Sequence, residues 1–116
     1  GGTHHTMEDI AVASAIPNMT VLAPCDPEEM RQATRWCAKE STGPVYMRLG
    51  KAGEPDLTAN AIAPFKKGKI RYLKKGSDIA ILSYGITVAM AFDIAKQLEM
   101  QGKSVSIISC HTIKLE

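Results

Sequence analysis

Apolar runs of strand length alternate with helical patterns along this 116-residue chain. The runs at residues 19–23 and 45–49 flank one segment with helical spacing, and the runs at 78–84 and 104–109 flank another. Such alternation is typical of parallel sheets that are covered by helices and joined by right-handed crossovers. The predicted fold class is therefore α/β, with strand-helix-strand units from two adjacent doubly wound domains, both incomplete because they hold too few strands.

The first long helix has the clearest start signal in the chain. Asp26 suits the N-cap and Pro27 the first helical position, while Glu28 and Glu29 are acids that complement the helix dipole. The helix is predicted to run to about Glu40. Its inward face is predicted to carry Met30, Ala33 and Cys37.

The second long helix follows the run at 78–84 and is predicted to continue to about Gln101, where Gly102 ends it. Its apolar residues recur at helical spacing and form one inner stripe. The members of this stripe are Val88, Ala91, Phe92, Ala95 and Leu98.

Two adjacent histidines, His4 and His5, precede a short helix predicted at 7–16. Thr6 and Asp9 have the spacing of a capping-box pair, which places the histidines in the turn before the helix. The partial positive charge of a helix N-terminus favours neutral imidazole, which can give or take one proton. By themselves, the histidines could equally be polar loop residues or the remainder of a tag. No third ligand at metal-binding spacing accompanies them.

Charge and composition exclude several function classes. The net charge of +2 does not call for nucleic acid or an anionic membrane surface, and no segment is long and apolar enough to span a membrane. Residues 51–76 are rich in glycine and proline and are predicted to be an interdomain linker with at most a short strand at 69–73. The basic run within it, predicted to be a solvated connector, comprises Lys66, Lys67, Lys69, Arg71, Lys74 and Lys75.

Three cysteines, Cys25, Cys37 and Cys110, stand at unrelated spacings and are predicted to be free thiols of a cytoplasmic protein. Leu115 and Glu116 are excluded from the fold prediction as a possible cloning scar.

Seven short motifs are distributed along nearly the whole length of the chain: GTHH at 2–5, EDIA at 8–11, IPNMTV at 16–21, GPVYMRLG at 43–50, GSDIAIL at 76–82, YGITV at 84–88 and HTIK at 111–114. Together they resemble the thiamine-diphosphate-dependent transketolases, and in particular the C-terminal section of the two-part form. The resemblance implies that residues 1–50 are the C-terminal part of a pyrimidine-binding-type domain. Residues 77–114 would then begin a C-terminal-type domain, with 51–76 between them.

The resemblance also implies roles for single residues. His4 matches the active-site histidine that faces the reactive carbon of the thiazolium ring, hydrogen-bonds the substrate oxygens and moves protons. Imidazole suits that role because its pKa lies near neutrality. Arg48 matches an arginine that contacts the sugar phosphate, which a guanidinium can hold through two parallel hydrogen bonds; its alternative is a surface or interface ion pair. His5 is a secondary candidate for cofactor or substrate contact. Glu8 and Asp9 are explained by stabilisation of the helix start.

The implied activity is transfer of a two-carbon ketol unit between sugar phosphates. Thiamine diphosphate would carry the carbanion and Mg²⁺ would hold its diphosphate, largely through residues absent from this chain. We therefore expect the isolated chain to bind neither and to be inactive. Expected partners are sugar phosphates, the missing N-terminal cofactor-binding section and further copies of the chain, because open sheet edges favour association. The alternatives are a 1-deoxy-D-xylulose-5-phosphate synthase and a non-catalytic α/β association module.

Overall fold

A computed structural model of the chain describes residues 6–51 and 53–114. Within these residues the backbone forms helices and strands in an order that matches the predicted alternation. The elements are α1 (Asp9–Ala15), β1 (Thr20–Leu22), α2 (Pro27–Lys39), β2 (Val45–Met47), β3 (Arg71–Lys74), β4 (Ile79–Ser83), α3 (Thr87–Met100) and β5 (Val105–Ser109). The α/β prediction is therefore confirmed. Leu115 and Glu116 lie outside the described residues.

The first unit consists of β1, α2 and β2. The two strands are parallel and pair in the register Thr20↔Val45 to Leu22↔Met47, with α2 as the crossover between them. Helix α2 starts as predicted, because the Asp26 side chain accepts a 2.7 Å hydrogen bond from the Glu29 backbone N–H and Pro27 follows the cap. The local signals were sufficient here because each of them acts within one helical turn.

The second unit is a three-stranded sheet in the order β3-β5-β4. Strands β4 and β5 are parallel, as predicted, with α3 between them in the sequence. Strand β3 is antiparallel to β5, with Arg71 opposite Ser109, a pairing that the sequence analysis did not assign. This strand lies within the segment predicted to be a linker, close to the short strand predicted at 69–73, and it runs along the other side of β5.

The inner stripe of α3 is confirmed. Its residues Val88, Ala91 and Ala95 are at most 3% exposed and pack in one cluster with Leu73 of β3 and Ile107 of β5. Gly102 ends the helix region with a φ of 83°, a conformation that glycine adopts without strain.

The inward face of α2 differs from the prediction. Ala33 is buried, but Met30 and Cys37 are only partly buried, whereas Glu29 is completely buried. Glu29 lies in the first turn of α2, as the prediction of an acid that complements the helix dipole requires, but the complete burial of its side chain was not predicted. A buried carboxylate needs compensating partners, and these come from the second unit.

Backbone hydrogen bonds join the two units through residues 111–113. The Ala23 N–H donates to the His111 carbonyl at 2.8 Å, and the Ile113 N–H donates to the Val21 carbonyl at 2.9 Å. The Gly85 N–H donates to the Ala23 carbonyl at 3.0 Å. The segment after β5 therefore lies directly against β1. Over the described residues, no helix has the length and apolarity needed to cross a membrane.

Candidate functional site

Arg48 lies directly after β2, at the carboxyl end of a parallel strand. Its backbone N–H donates to the Leu22 carbonyl at 2.8 Å, which fixes the residue beside the end of β1. Open α/β sheets bind ligands outside the carboxyl ends of their strands. The Arg48 side chain is 42% exposed, so its guanidinium is accessible to a ligand.

A buried carboxylate lies against Arg48. Asp9, in the first turn of α1, is 9% exposed, and its Oδ2 lies 3.5 Å from the Arg48 Nε. The Tyr46 hydroxyl donates a 2.6 Å hydrogen bond to the same oxygen. Three residues from a helix start and a strand end thus form one polar cluster, which we call the Arg48 cluster: Asp9, Tyr46 and Arg48.

The predicted capping-box pair between Thr6 and Asp9 was wrong. Helix α1 begins at Asp9 after Glu8, and no side chain caps it. Thr6 instead interacts with Glu8, accepting a 3.3 Å hydrogen bond from its backbone N–H and donating a 3.0 Å one to its carboxylate. Asp9 was free to turn inward because Tyr46 and Arg48 offer it a hydrogen bond and a positive charge.

Electrostatics keep the Arg48 cluster charged. The hydrogen bond from Tyr46 lowers the pKa of Asp9, and the positive charge of Arg48 adds to this against the opposing effect of burial. The same hydrogen bond raises the pKa of Tyr46, because the phenol proton is shared with a carboxylate. At neutral pH the cluster therefore contains an ionised Asp9, a protonated Tyr46 and a charged Arg48.

His4 and His5 lie outside the described residues, so their predicted roles remain predictions. Thr6, the first described residue, follows them directly in the sequence. Of the predicted site residues the structure describes only Arg48, and it adds Asp9 and Tyr46 beside it. A signal for Tyr46 was available, because residues two apart in a strand project from the same face.

A second polar cluster joins the two units in the interior. Arg71 Nη1 lies 3.0 Å from Glu29 Oε2, and the side chains are 5% and 0% exposed. The Ser109 hydroxyl and the Cys25 backbone N–H donate to the other carboxylate oxygen at 2.8 and 3.1 Å. Arg71 was predicted to belong to a solvated connector, and this was wrong. We call this group the junction cluster: Cys25, Glu29, Arg71 and Ser109.

The cap residue Asp26 extends this interior network to the segment before β3. Its Oδ2 accepts hydrogen bonds from the Leu57 and Thr58 backbone N–H groups and from the Thr58 hydroxyl at 2.7–2.8 Å. Burial opposes ionisation of Asp26, but these hydrogen bonds and the one from Glu29 outweigh it and lower the pKa. Asp26 therefore has a tertiary role as well as its predicted capping role.

The third histidine, His111, is completely buried next to the junction cluster. Its Nδ1 lies 3.0 Å from the Thr112 hydroxyl, and its ring centroid lies 4.3 Å from that of Phe65. No described residue offers a hydrogen-bond partner to its Nε2. Burial lowers the pKa of His111, so the ring is held in its neutral form.

Comparison with known proteins places this geometry in a family. Residues 1–53 match the pyrimidine-binding domain of transketolase, and residues 68–115 match the transketolase C-terminal domain. The chain belongs to the transketolase family. It is therefore related to enzymes of the transferase type, whose full-length members depend on thiamine diphosphate.

Two curated relatives illustrate the range within that family. One of the subunits of the apulose-4-phosphate transketolase of Phocaeicola vulgatus is 33% identical over 114 residues, which are 98% of this chain and 36% of that protein. The 1-deoxy-D-xylulose-5-phosphate synthase of Clostridium acetobutylicum is 36% identical over 98% of this chain and 18% of that protein. The chain thus spans about a third or less of the length of these relatives.

A solved structure, described as a split-gene transketolase in an inactive beta4 tetramer, has the same fold. It superimposes with a TM-score of 0.85 at 35% identity, over 97% of this chain and 37% of that chain. The match extends across both units and the segment between them.

The described residues do not assemble a site for a metal ion. Within 6–51 and 53–114, no group of three or more histidine, cysteine, aspartate or glutamate side chains could hold a metal ion. The carboxylates of Asp9, Asp26 and Glu29 are all engaged by donors of this chain. We therefore derive no chemical step through the cofactor from these residues.

Proposed function

We propose that this chain is one segment of a transketolase that moves a two-carbon ketol unit from a ketose phosphate to an aldose phosphate. The observation that carries the proposal is Arg48, an exposed guanidinium at the carboxyl end of a parallel strand in a pyrimidine-binding-type unit. A ligand with a phosphate group suits it, because guanidinium and phosphate form paired, charge-assisted hydrogen bonds.

In this proposal His4 is the catalytic acid and base, and His5 is a secondary contact for substrate or cofactor. Proton transfer beside a developing alkoxide requires a group that titrates near neutral pH, and imidazole is the side chain that does so. Both residues precede Asp9 of the Arg48 cluster in the sequence by only a few positions.

The cofactor-binding section is proposed to come from outside these 116 residues, with thiamine diphosphate held through Mg²⁺. We further propose that residues 1–50 complete a pyrimidine-binding-type domain, that 51–76 connect the units and that 77–114 begin the C-terminal-type domain. The one-third coverage of the relatives supports a further section, because most of their length has no counterpart in these residues.

Association with another subunit or further copies is supported by an apolar surface on the second unit. Ile86, Met90 and Ile94 are spaced four residues apart at the start of α3 and along it, and are 47–61% exposed. Leu82 on β4 is 61% exposed, and β4 is an edge strand among the described strands. Apolar helix faces and open strand edges of this kind are covered by partners in assembled proteins.

A deoxyxylulose-phosphate synthase is the second candidate, because the synthase relative is as similar as the transketolase relatives over nearly the whole chain. The two reactions differ in the donor: the synthase uses pyruvate and releases carbon dioxide. A non-catalytic association module is the third candidate, and it predicts assembly without turnover.

The test is ketol transfer from xylulose 5-phosphate to ribose 5-phosphate by the complete enzyme with thiamine diphosphate and Mg²⁺. We expect His4→Ala to lower kcat by about 100-fold or more, the usual contribution of a general acid or base. Arg48→Ala should raise the KM of the phosphorylated substrate by about 10- to 100-fold, as expected for a hydrogen bond to a charged group.

The wild-type protein decides among the three candidates. Turnover with pyruvate and release of carbon dioxide would replace the transketolase proposal by the synthase. Failure with both donors, together with stable assembly with the partner section, would favour the association module. The 116-residue chain alone is expected to be inactive in either assay.

A further inference from the structure

The Arg48 cluster contains a carboxylate that the proposed reaction does not use. Asp9 lies next to the arginine that is proposed to bind an anion, although a negative charge there weakens anion binding. Asp9 is also costly to bury, and its Oδ1 has no hydrogen-bond partner among the described residues. Because Asp9 weakens anion binding and is costly to bury, we looked for a role of this carboxylate that offsets both effects.

The geometry of the cluster suggests that role. Asp9 Oδ2 lies 3.5 Å from the Nε of the Arg48 guanidinium. No described residue accepts a hydrogen bond from the Arg48 side chain. The terminal nitrogens are therefore left available on a side chain that is 42% exposed, and a planar guanidinium presents them together.

The carboxylate itself is fixed from the other side. The Tyr46 hydroxyl donates to the same Oδ2 at 2.6 Å, and both Tyr46 and Asp9 are anchored on regular elements, β2 and α1. Tyr46 in β2 and Arg48 directly after this strand both lie against the same Asp9 oxygen. The tyrosine thus holds the carboxylate by a hydrogen bond, and the carboxylate forms an ion pair with the guanidinium.

We propose that Asp9 is a positioning residue which, held by Tyr46, orients the Arg48 guanidinium so that both terminal nitrogens meet the phosphate group of the substrate. This inference rests on the proposed function, because it gives a geometry to the phosphate contact of Arg48. A guanidinium that is already oriented loses less side-chain entropy when it binds phosphate. In this proposal that gain in affinity is larger than the loss caused by the negative charge of Asp9.

Kinetics of the complete enzyme provide the first test. Asp9→Asn should raise the KM of a phosphorylated aldose about five- to tenfold while leaving kcat, and the KM of the same aldose without phosphate, nearly unchanged. Tyr46→Phe should act in the same direction by about threefold, because it removes only the donor that holds the carboxylate. The matched control is Glu8→Gln, which removes the neighbouring charge in the same turn from an exposed side chain that contacts Thr6, and it should change nothing.

A purely structural role for Asp9 predicts a different pattern. Loss of fold stability would lower activity with both aldoses alike, and relief from charge competition would lower the KM of the phosphorylated one. Either pattern in Asp9→Asn would overturn the proposal. If that variant does not fold, Tyr46→Phe decides by the same criterion, since it keeps the charge.

A second test does not require turnover. In the complete enzyme without cofactor, an arginine-selective dicarbonyl reagent should label Arg48, and inorganic phosphate should protect it. Asp9→Asn should raise the phosphate concentration needed for half-protection by about fivefold. Arg71, which is 5% exposed, is the internal control: it stays unlabelled while the protein is folded.

The two tests separate this inference from the proposed function. If the wild type lacks ketol transfer but phosphate protects Arg48 in an Asp9-dependent manner, the proposed function fails and the positioning role stands. If ketol transfer occurs but phosphate protects Arg48 equally in wild type and Asp9→Asn, the positioning role is wrong. The positioning role would also be wrong if phosphate protected Arg48 no better than it protects the exposed Arg31.

Discussion

Two arginines of this chain face a carboxylate from the start of a helix, and their surroundings differ. Arg71 pairs with Glu29 of α2 at 3.0 Å in an interior where the side chains are 5% and 0% exposed. Arg48 lies beside Asp9 of α1 at 3.5 Å with 42% of its side chain exposed. One pair is closed by protein on every side, and the other opens to a surface where a ligand can bind.

The difference shows that burial decides whether an arginine needs a partner for its charge within the protein. In the junction cluster every charge has a partner, because an unpaired charge in the interior costs several kcal/mol, about 3–5 when one partner of a buried pair is removed. In the Arg48 cluster, some N–H donors of the guanidinium have no partner in the described residues. This costs little stability because the side chain is exposed and water can accept their hydrogen bonds. Arg71 therefore has a structural role, and the exposure of Arg48 supports the phosphate contact that we propose for it.

The largest expected effect is at the closed pair. Arg71→Met leaves the Glu29 carboxylate buried without its cation and should lower the free energy of unfolding by about 3–5 kcal/mol. Urea denaturation of the variant and wild type measures it. The matched control is Arg31→Met, which removes the cation of an exposed pair on the same helix, where the side chains are 57% and 42% exposed, and should have no measurable effect.

A double variant sharpens the interpretation. Arg71→Met combined with Glu29→Gln removes both charges but keeps an oxygen that can accept from Ser109 and Cys25. It should recover a large part of the lost stability, because the uncompensated charge is gone. A double variant as unstable as Arg71→Met would mean that packing, and not charge, accounts for the loss.

An intermediate effect is expected from pH, through His111 next to the closed pair. Because burial lowers the pKa of His111, the folded state binds the proton less readily than the unfolded state. The stability is therefore fully present above the ordinary pKa of 6.5 and is lost as pH falls below it, with a slope of at most about 1.4 kcal/mol per pH unit. The negative charge of Glu29 favours protonation of His111 and the positive charge of Arg71 opposes it, so both charges of the buried pair affect the pKa of His111.

Urea unfolding at several pH values between about 8 and 5 measures this slope. His111→Gln should flatten it, because the amide does not titrate in this range. A slope that persists in His111→Gln would assign the pH dependence to other groups.

The smallest expected effect on stability is at the open pair. Arg48→Met, the same substitution as at Arg71, should change the free energy of unfolding by less than about 1 kcal/mol, the range of exposed ion pairs. Urea denaturation beside Arg71→Met gives a direct comparison. Equal losses at both positions would contradict the division between a structural and a functional arginine.

Helices and strands could be predicted from the sequence because their signals are local. The cap and proline at Asp26 and Pro27 start α2 at the predicted residue, and the stripe from Val88 to Leu98 faces the core of the second unit. The antiparallel pairing of β3 with β5 was not predicted. A strand of four residues with alternating burial carries no information about its partner strand.

The candidate site was only partly predictable. Arg48 was found through its motif, whereas Asp9 was interpreted as a helix-stabilising acid because its sequence position fits that role equally well. Tyr46 and Asp9 are 37 residues apart, and their contact depends on α1 packing against the first sheet. No local pattern reports such a contact.

The sequence by itself determined the family, the α/β class and the approximate positions of the helices and strands. Those properties follow from motifs and periodicities that act within one element. Only the tertiary structure decided which charges are buried. Glu29 and Arg71 are 42 residues apart, and Asp9 and Arg48 lie on different elements, so the chain had to fold before one pair could close and the other stay open.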